Sequence, residues 1–233
     1  MSSEDIFALD ILEKDYLPVL RQKASMLILM LEGKKILEVG CGTGNLLGLL
    51  SSYDYDLSGT DYSDDYLNKA RKKHSAITFF KGDLTNTASW EEHRNSYDSV
   101  ICSEVLEHLK DDFTALEIIM SLLKPNGILI ITVPALDLLY SEFDKKIGHY
   151  RRYSMKSICD VVIKAGFVLE KTRHWNFLGM FGWFILFKLL KQDIQKTSSP
   201  ALGSILGKWL GLESKITFPI GQTILVKARK PQI

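Results

Sequence analysis

The stretch from Lys34 to Asn45 constrains the fold more than any other part of the chain. It reads Lys-Lys-Ile-Leu-Glu-Val-Gly-Cys-Gly-Thr-Gly-Asn, an apolar run followed by glycines at alternate positions, and leucines at helical spacing come next. This pattern predicts a strand, a tight loop and a helix. Glycine permits loop dihedrals that other residues avoid, and it lets a ligand approach the backbone closely. The stretch therefore predicts a ligand-binding loop at the end of a strand.

Strand and helix patterns alternate on both sides of this loop. Strands are predicted at residues 36–39, 55–60, 77–80, 97–102, 128–133, 167–174 and 223–228. Helices are predicted at residues 5–31, 46–50, 63–73, 112–123, 154–165 and 200–212, with a helix end at Gly33 and a turn at residues 124–127. Such alternation predicts an α/β fold with a doubly wound, mostly parallel sheet. In these sheets ligands bind beyond the carboxyl ends of the strands.

The length fits one domain. The chain has 233 residues, of which 46% are hydrophobic, as in a globular protein. We expect a single domain with a helical cap at residues 1–33, a cofactor-binding core at 34–135 and substrate-side elements at 136–233. The 29 basic residues nearly balance the 28 acidic ones, so no nucleic-acid partner is predicted.

The cysteines and the amino-terminal residues indicate the compartment. Cys41, Cys102 and Cys159 are widely spaced and odd in number, which predicts neither a disulfide framework nor a metal site. A reducing, cytoplasmic location is expected. The first residues are polar and acidic, unlike a signal peptide. The longest apolar run, Phe177 to Phe187, is shorter than the ~18 residues of a membrane-spanning helix.

The glycine loop and two later stretches resemble one family. The segment Glu38-Val39-Gly40-Cys41-Gly42-Thr43-Gly44 is similar to the first motif of class I S-adenosylmethionine (SAM)-dependent methyltransferases. The segment 101–109 resembles a motif of the group within it that includes quinone and small-molecule enzymes, and the turn at 123–129 resembles the family as a whole. The resemblance covers about residues 30–135. It implies a Rossmann-like, seven-stranded sheet whose last strand is antiparallel, with SAM as cofactor and S-adenosylhomocysteine as product.

The resemblance also implies a set of cofactor-binding residues. These are Glu38, Gly40, Cys41, Gly42, Gly44, Asp61, Tyr62, Asp83, Leu84 and Glu104. Asp61 lies at a strand end about 20 residues beyond the glycine loop, where an acid can bind both ribose hydroxyls, although a helix-capping role is also open. Asp83 is expected at the adenine amino group and Leu84 at a ring nitrogen. Glu104 faces either the methionine part of SAM or the substrate.

Catalytic and substrate-binding candidates follow the fourth and fifth strands. His108 and His149 are the candidate bases, since a neutral imidazole accepts a proton near pH 7. The block Gly-His-Tyr-Arg-Arg-Tyr at 148–153 resembles a bacterial subgroup of the family, some of whose members occur alongside glycan or lipid biosynthesis. Tyr150, Arg151 and Arg152 are therefore expected to bind an anionic substrate group. The alternative is a solvated loop that leads into a helix.

Residues 175–191 carry aromatic and aliphatic side chains on every face of a predicted helix. Such a helix is buried or meets something apolar. It is expected to form a lid, a homodimer interface or a peripheral contact with the inner face of the membrane. Each of these suits a small-molecule or lipid-like acceptor, such as a lipid-linked glycan precursor or a quinone-type metabolite.

Two other functions compete with this interpretation. A nicotinamide-dependent oxidoreductase would carry Gly-x-Gly-x-x-Gly, whereas this loop has Gly-x-Gly-x-Gly and the chain has no Tyr-x-x-x-Lys pair. A catalytically silent partner with the same fold is the second alternative. The sequence indicates neither the methyl acceptor nor the atom that is methylated.

Overall fold

The computed structural model describes residues 19–189 and 218–232, together with Trp209, Glu213 and Ile216. Seven strands form one sheet: Lys35–Val39 (β1), Asp56–Asp61 (β2), Thr78–Lys81 (β3), Tyr97–Ser103 (β4), Leu123–Pro134 (β5), Val168–Trp175 (β6) and Thr223–Arg229 (β7). Their order is β3-β2-β1-β4-β5-β7-β6. Strands β1 to β5 run parallel to one another, and β7 is antiparallel to both β5 and β6. The predicted Rossmann-like fold with an antiparallel last strand is confirmed.

Helices cover both faces of the sheet. They are residues 19–28 (α1), Asn45–Leu50 (α2), Asp64–Lys73 (α3), Asp112–Leu122 (α4), Glu142–Lys146 (α5), Met155–Lys164 (α6) and Phe177–Trp183 (α7). Short 3-10 segments occur at Thr87–His93, Leu106–His108 and Asp137–Leu139, and a π-helical segment, Phe184–Leu189, continues α7. The Ser63 side chain caps α3 and the Ser154 side chain caps α6, because each hydroxyl accepts a hydrogen bond from a first-turn backbone N–H.

Two hydrophobic clusters hold the layers together. On one face, Ile36 of β1 packs with buried residues of α1 to α3, among them Leu27, Leu47 and Leu67. On the other face, Leu37 packs with buried residues of α4 and α6. Neighbouring strand residues point to opposite faces, so a continuous apolar run is needed where both faces are covered. Most of β5 is buried for this reason.

The structure differs from the predicted elements in two places. Strand β5 begins at Leu123, directly after α4, and includes the predicted turn at 124–127. Leu123 pairs with Tyr97 and the pairing resumes between Ile128 and Ser99, with a shift of register between them and a positive φ at Asn126. Helix α1 ends at residue 28, before Gly33. The predicted helix at 200–212 lies outside the described residues except for Trp209, and so do residues 5–18 of the first predicted helix.

The register of the parallel strands sets the position of the site. Val39 pairs with Thr60 on one side and with Cys102 on the other, and Asp61 pairs with Lys81. The loops after β1, β2, β3 and β4 therefore leave the sheet at the same edge. This edge holds the glycine loop and most of the predicted site residues.

Candidate functional site

The glycine loop joins β1 to α2 in an unusual backbone conformation. Gly40, Gly42 and Gly44 have φ angles of 69°, 52° and 77°, which are unfavourable for residues with a side chain. A Cβ on Gly40 would lie 2.4 Å from Val105, and one on Gly44 would lie 2.9 Å from Phe79, whereas a Cβ on Gly42 would meet nothing within 4 Å. Two of the glycines are thus required by packing. The middle glycine faces open space, where a ligand fits against the backbone.

Asp61 ties this loop to the end of β2. Its carboxylate accepts hydrogen bonds of 2.9 Å from the backbone N–H groups of Gly42 and Ser63. Burial raises the pKa of Asp61, while N–H donors from Ser63, Gly42 and Tyr62 oppose the rise. Each carboxylate oxygen keeps a second lone pair, so Asp61 retains acceptor capacity toward a ribose while it holds the loop.

Glu38 lies beneath the loop and is almost fully buried. Burial raises its pKa to about 8, with the charge of Asp61 adding to the rise and Lys23 opposing it. Its Oε2 has no hydrogen-bond partner among the described residues. Glu38 is therefore a buried polar side chain that lines the cavity.

The predicted adenine-side residues follow β2 and β3. The Asp83 side chain is exposed and accepts hydrogen bonds from the backbone N–H and the hydroxyl of Thr85, while its backbone carbonyl accepts one from Trp90. Leu84 is buried, and Tyr62 is exposed at the mouth. The structure places all three residues at the carboxyl edge of the sheet, on the side of β2 and β3.

Glu104 follows β4 and forms an ion pair with a buried lysine, which the sequence did not predict. Its Oε1 accepts a hydrogen bond of 2.8 Å from the Nζ of Lys23, on α1. The charge of Lys23 keeps the pKa of Glu104 below its usual range, although burial alone would raise it. Ser103 and Thr132 hydroxyls lie 3.4 Å from the same Nζ. Helix α1 is therefore anchored to the sheet at the site.

The glycine loop, Glu38, Lys23 and Glu104 line one cavity of about 240 Å³, and its lining does not include the predicted residues Asp61, Tyr62, Asp83 and Leu84. Its lining consists of Leu20, Lys23, Glu38, Gly40, Cys41, Gly42, Thr43, Asn45, Leu46, Ser103 and Glu104. The lining combines backbone of the glycine loop with charged groups at the end of β4. Cys41 is a buried thiol whose pKa is raised by burial, so it contributes shape rather than a nucleophile.

A second group of polar side chains lies beside Glu104. One carboxylate oxygen of Glu107 and one ring nitrogen each of His108 and His149 lie within 4.8 Å of one another. Glu107 is fully buried, and neither oxygen of its carboxyl meets a hydrogen-bond donor among the described residues. Burial, followed by the charge of Glu104, raises the pKa of Glu107 well above its usual range. Desolvation and the neighbouring His149 lower the pKa of His108 to about 4, although part of that side chain is exposed.

His149 is oriented by a buried carboxylate. Its Nδ1 lies 3.0 Å from Oδ1 of Asp144 and its Nε2 lies 3.9 Å from Oε1 of Glu107. The same Asp144 carboxyl accepts hydrogen bonds from Arg152 and from the backbone and hydroxyl of Ser141. Because Asp144 is an acceptor, it favours the tautomer with a proton on Nδ1. The Nε2 lone pair then faces Glu107 and His108.

The predicted substrate residues fall into different surroundings. Arg152 is buried, paired with Asp144 and stacked over the Trp183 ring, so its guanidinium is engaged inside the protein. Arg151 is partly exposed and bridges Asp112 to backbone carbonyls that precede α4. Tyr150 is exposed. Within the block at 148–153, Arg152 therefore supports His149 through their shared partner Asp144. Tyr150 and Arg151 remain a candidate substrate surface.

Trp183 of α7 contacts this block, because the Arg152 guanidinium lies over its ring. The Trp183 indole donates to the Leu139 carbonyl and its ring meets Phe143 edge to face. Other apolar side chains of the segment remain exposed, including Phe181, Ile185 and Leu189. Within the part of the chain that the structure describes, no helix is long and apolar enough to cross a membrane.

Two residues of the site were missed by sequence reasoning. Lys23 interrupts the apolar face of α1 between Leu20 and Leu27, and a charged residue inside an apolar stripe was the available signal. Asp144 precedes the block at 148–153, and the sequence predicted no role for it. Both side chains are buried and ion-paired, as buried charges must be.

Comparison with known proteins agrees with this geometry. The family described as "Methyltransferase domain" matches residues 16–172. A ubiquinone biosynthesis O-methyltransferase from Actinobacillus pleuropneumoniae serotype 7 is 32% identical over 140 residues, which are 56% of this chain and 56% of the relative. One from Shewanella sp. strain ANA-3 is 35% identical over 99 residues, 41% of each chain. The matches thus span about half the length of these relatives or less.

Solved structures share the fold. A SAM-dependent methyltransferase from Archaeoglobus fulgidus superposes with a TM-score of 0.66 at 18% identity, covering 98% of this chain and 100% of that one. Another from Mesorhizobium loti gives 0.59 at 19% identity, with 92% and 97% covered. The open space at Gly42 and the remaining acceptor capacity of Asp61 fit SAM as a cofactor. The family match argues against a nicotinamide-dependent oxidoreductase. The chain therefore belongs to the methyltransferase domain family.

Proposed function

We propose that this methyltransferase modifies a hydroxyl group of a small amphiphilic acceptor, with His149 as the base. The observation that carries the proposal is the His149 imidazole, held by Asp144 with its Nε2 turned toward Glu107 and His108. This arrangement is a base with a fixed tautomer beside the end of β4. The curated relatives are named as O-methyltransferases, which supports a hydroxyl as the acceptor.

The reaction is an in-line displacement at the sulfonium methyl group. Bound SAM would supply the methyl group: the acceptor oxygen would bond to the methyl carbon as the carbon–sulfur bond breaks, with S-adenosylhomocysteine as the leaving group. The hydroxyl proton passes to Nε2 of His149. The protein contributes mainly position and exclusion of water. Asp144 stabilises the imidazolium that forms, because its carboxylate remains beside Nδ1.

A divalent cation is a second candidate at the same place. Glu107, His108 and His149 together offer one carboxylate and two imidazoles, a donor set that suits zinc and other transition metals. The buried Glu107 carboxyl, which lacks a donor, favours this candidate. A cation held there would lower the pKa of the acceptor hydroxyl and orient it.

The acceptor is proposed to carry an apolar body. Exposed apolar side chains of α7 and its π-helical continuation stand next to the block that carries His149, since Trp183 packs against Phe143 and Arg152. We propose a phenol with a lipid tail, of the quinone-precursor type, as the preferred class. A lipid-linked glycan precursor is the alternative, with the partly exposed Arg151 and Tyr150 near its anionic or polyhydroxylated head.

The test is methyl transfer from radiolabelled SAM to a panel of acceptors. The panel contains catechol, catechols with short and long alkyl tails, and a polyprenyl-phosphate sugar. We expect catechol with a long tail to react fastest. His149→Gln should lower kcat by about 100-fold or more, whereas His174→Gln, on β6, should not. Full activity of the His149 variant would remove it as the base.

The cation candidate has its own test. The purified protein is stripped with a chelator, and its metal content and thermal unfolding are followed as Zn²⁺, Mn²⁺ or Mg²⁺ is returned. Binding at the cluster should raise the unfolding temperature of the wild type but not of Glu107→Gln. If turnover is unchanged after the metal has been removed, His149 acts as the base without a metal.

Peripheral membrane contact is proposed for the exposed side of α7. Phe181→Ser changes an exposed side chain without touching Trp183, so it separates lipid contact from folding. We expect wild-type protein to sediment with anionic liposomes and the variant to do so less. A loss of dimer by the variant would indicate a homodimer interface instead. A loss of turnover with both unchanged would indicate a lid.

A further inference from the structure

The guanidinium of Arg152 lies between the proposed base and helix α7. Its Nε and Nη2 contact Oδ1 of Asp144 at 2.9 and 2.8 Å, and its Nη1 donates to the Ala135 carbonyl. The same Oδ1 lies 3.0 Å from Nδ1 of His149. One carboxylate oxygen therefore binds both the arginine and the histidine. A movement of the arginine would disturb the acceptor that orients the imidazole.

The hydrogen bonds of this cluster hold the carboxylate, but they hold only the edge of the guanidinium. Oδ2 of Asp144 accepts from the backbone N–H and the hydroxyl of Ser141. The donors of a guanidinium all lie in its plane. Its two faces are therefore kept in place by packing. Only 1% of the Arg152 side chain is exposed, so these faces are covered.

Trp183 of α7 covers one face. The guanidinium carbon of Arg152 lies 4.6 Å from the centre of a Trp183 ring, within the distance at which an aromatic face attracts a cation. The indole is itself fixed, because it donates to the Leu139 carbonyl at 3.3 Å and meets Phe143 edge to face. Phe143 directly precedes Asp144 on α5. The indole thus contacts the arginine directly and the helix that carries its partner.

We propose that Trp183 is a positioning residue, which holds the Arg152 guanidinium and, through Asp144, the imidazole of His149. The inference rests on the proposed function, since it concerns the base named there. An ion pair is stronger where water is excluded, and the indole excludes water from one face of this pair. Without the indole, water reaches the guanidinium and competes for the carboxylate. His149 then loses its fixed acceptor.

The test uses the proton on Nδ1 of His149 as a probe. A proton held between a buried imidazole and a carboxylate exchanges slowly with water and gives a separate low-field signal in proton NMR. The signal is assigned by its absence from His149→Gln. Trp183→Phe keeps an aromatic face against the guanidinium and should keep the signal. Trp183→Leu should shift or broaden it.

Turnover of the fastest acceptor in the panel gives a second measurement. Trp183→Leu should lower kcat by about 10- to 100-fold and leave KM for SAM within about twofold, and Trp183→Phe should retain most of kcat. In an Arg152→Lys background, Trp183→Leu should add little, because its effect passes through the guanidinium. Leu67→Ala is the control, since Leu67 is buried on the opposite face of the sheet. It should lower the unfolding temperature but change neither the signal nor kcat.

Two results would overturn the proposal. The first is an unchanged His149 signal in folded Trp183→Leu, or no such signal in the wild type. The second is an equal change of the signal in Leu67→Ala, which would make it an effect of lower stability. If Trp183→Leu does not fold, a tetrafluorinated tryptophan placed at position 183 decides. It keeps the shape but weakens the attraction of the ring for a cation, so it should shift the signal, and an unchanged signal would count against the proposal.

The NMR measurement contains no acceptor, so it separates this inference from the proposed function. Full activity of His149→Gln would refute the proposed base without altering the signal in the wild type or its loss in Trp183→Leu. A retained signal in Trp183→Leu, together with an inactive His149→Gln, would refute the positioning role alone.

Discussion

Replacing Asp144 by asparagine should destabilise the protein strongly. The side chains of Asp144 and Arg152 are 0% and 1% exposed, and they are joined by an ion pair of 2.8 Å. Asparagine keeps the shape but removes the charge, which leaves the arginine unpaired in the interior. Breaking a buried pair in this way costs about 3–5 kcal/mol. For a chain of this size each kcal/mol lowers the unfolding temperature by about 2–4 °C, so we expect a fall of about 6–20 °C.

The assay is thermal and urea unfolding at pH 7, followed by circular dichroism. Asp160→Asn is the matched control, since its partner Lys156 and the aspartate are both well exposed on α6, and such pairs contribute about 0–1 kcal/mol. The double variant Asp144→Asn/Arg152→Met should recover part of the lost free energy of unfolding, because it removes the orphaned charge. A cost for Asp144→Asn no larger than that of the control would refute the reasoning.

The same carboxylate predicts a pH dependence. Burial opposes ionisation of Asp144, but the hydrogen bond from His149 and the charge of Arg152 hold its pKa below the usual range. A lowered folded-state pKa contributes stability that is complete above the unfolded value of about 3.9. This contribution is lost as the pH falls through the folded-state pKa. The free energy of unfolding of the wild type should therefore drop more steeply below about pH 4 than that of Asp144→Asn.

Three further outcomes are expected. Gly42→Val should abolish SAM binding in calorimetry while the protein stays folded, since its side chain would enter the open cavity; normal binding would place the cofactor elsewhere. Asp61→Ala should weaken SAM by about 1.5–3 kcal/mol, whereas Asp64→Ala, at an exposed ion pair, should not; equal affinities would exclude the ribose role. Ser99→Ala should lower the free energy of unfolding in urea by about 1–3 kcal/mol, because the buried hydroxyl accepts from the backbone N–H of Glu32 and donates to its carbonyl. An unchanged free energy of unfolding would mean that water replaces the hydroxyl.

The sequence predicted the sheet well because its signals are local. The glycines after β1, the capping serines and the apolar run of β5 each specify their own backbone, and the order of elements then limits the topology. The start of β5 was mistaken because the turn chemistry at 124–127 is present, with Asn126 at positive φ. Pairing of Leu123 with Tyr97 nevertheless extends the strand, and only the neighbouring strand supplies that information.

The charged contacts of the site were less predictable. Lys23 and Glu104 are 81 residues apart in the sequence, and the sequence around either residue does not indicate its partner. Arg151 and Arg152 are adjacent and chemically identical, yet Arg152 turns inward to Asp144 and Arg151 outward to Asp112. Which of two neighbouring side chains faces the interior depends on the packing around them. The positions of the predicted site residues were foreseeable, but their partners were not.

The place of β7 in the sheet has a consequence for biosynthesis. It lies between β5 and β6 and pairs with both, although it follows both in the sequence. A nascent chain that has already emerged beyond β6 still has a gap in the sheet, bordered by two unpaired strand edges. Such edges recruit other chains, and strands that pair over long sequence distances form slowly. We expect this half of the sheet to be the part most exposed to aggregation until β7 pairs with β5 and β6.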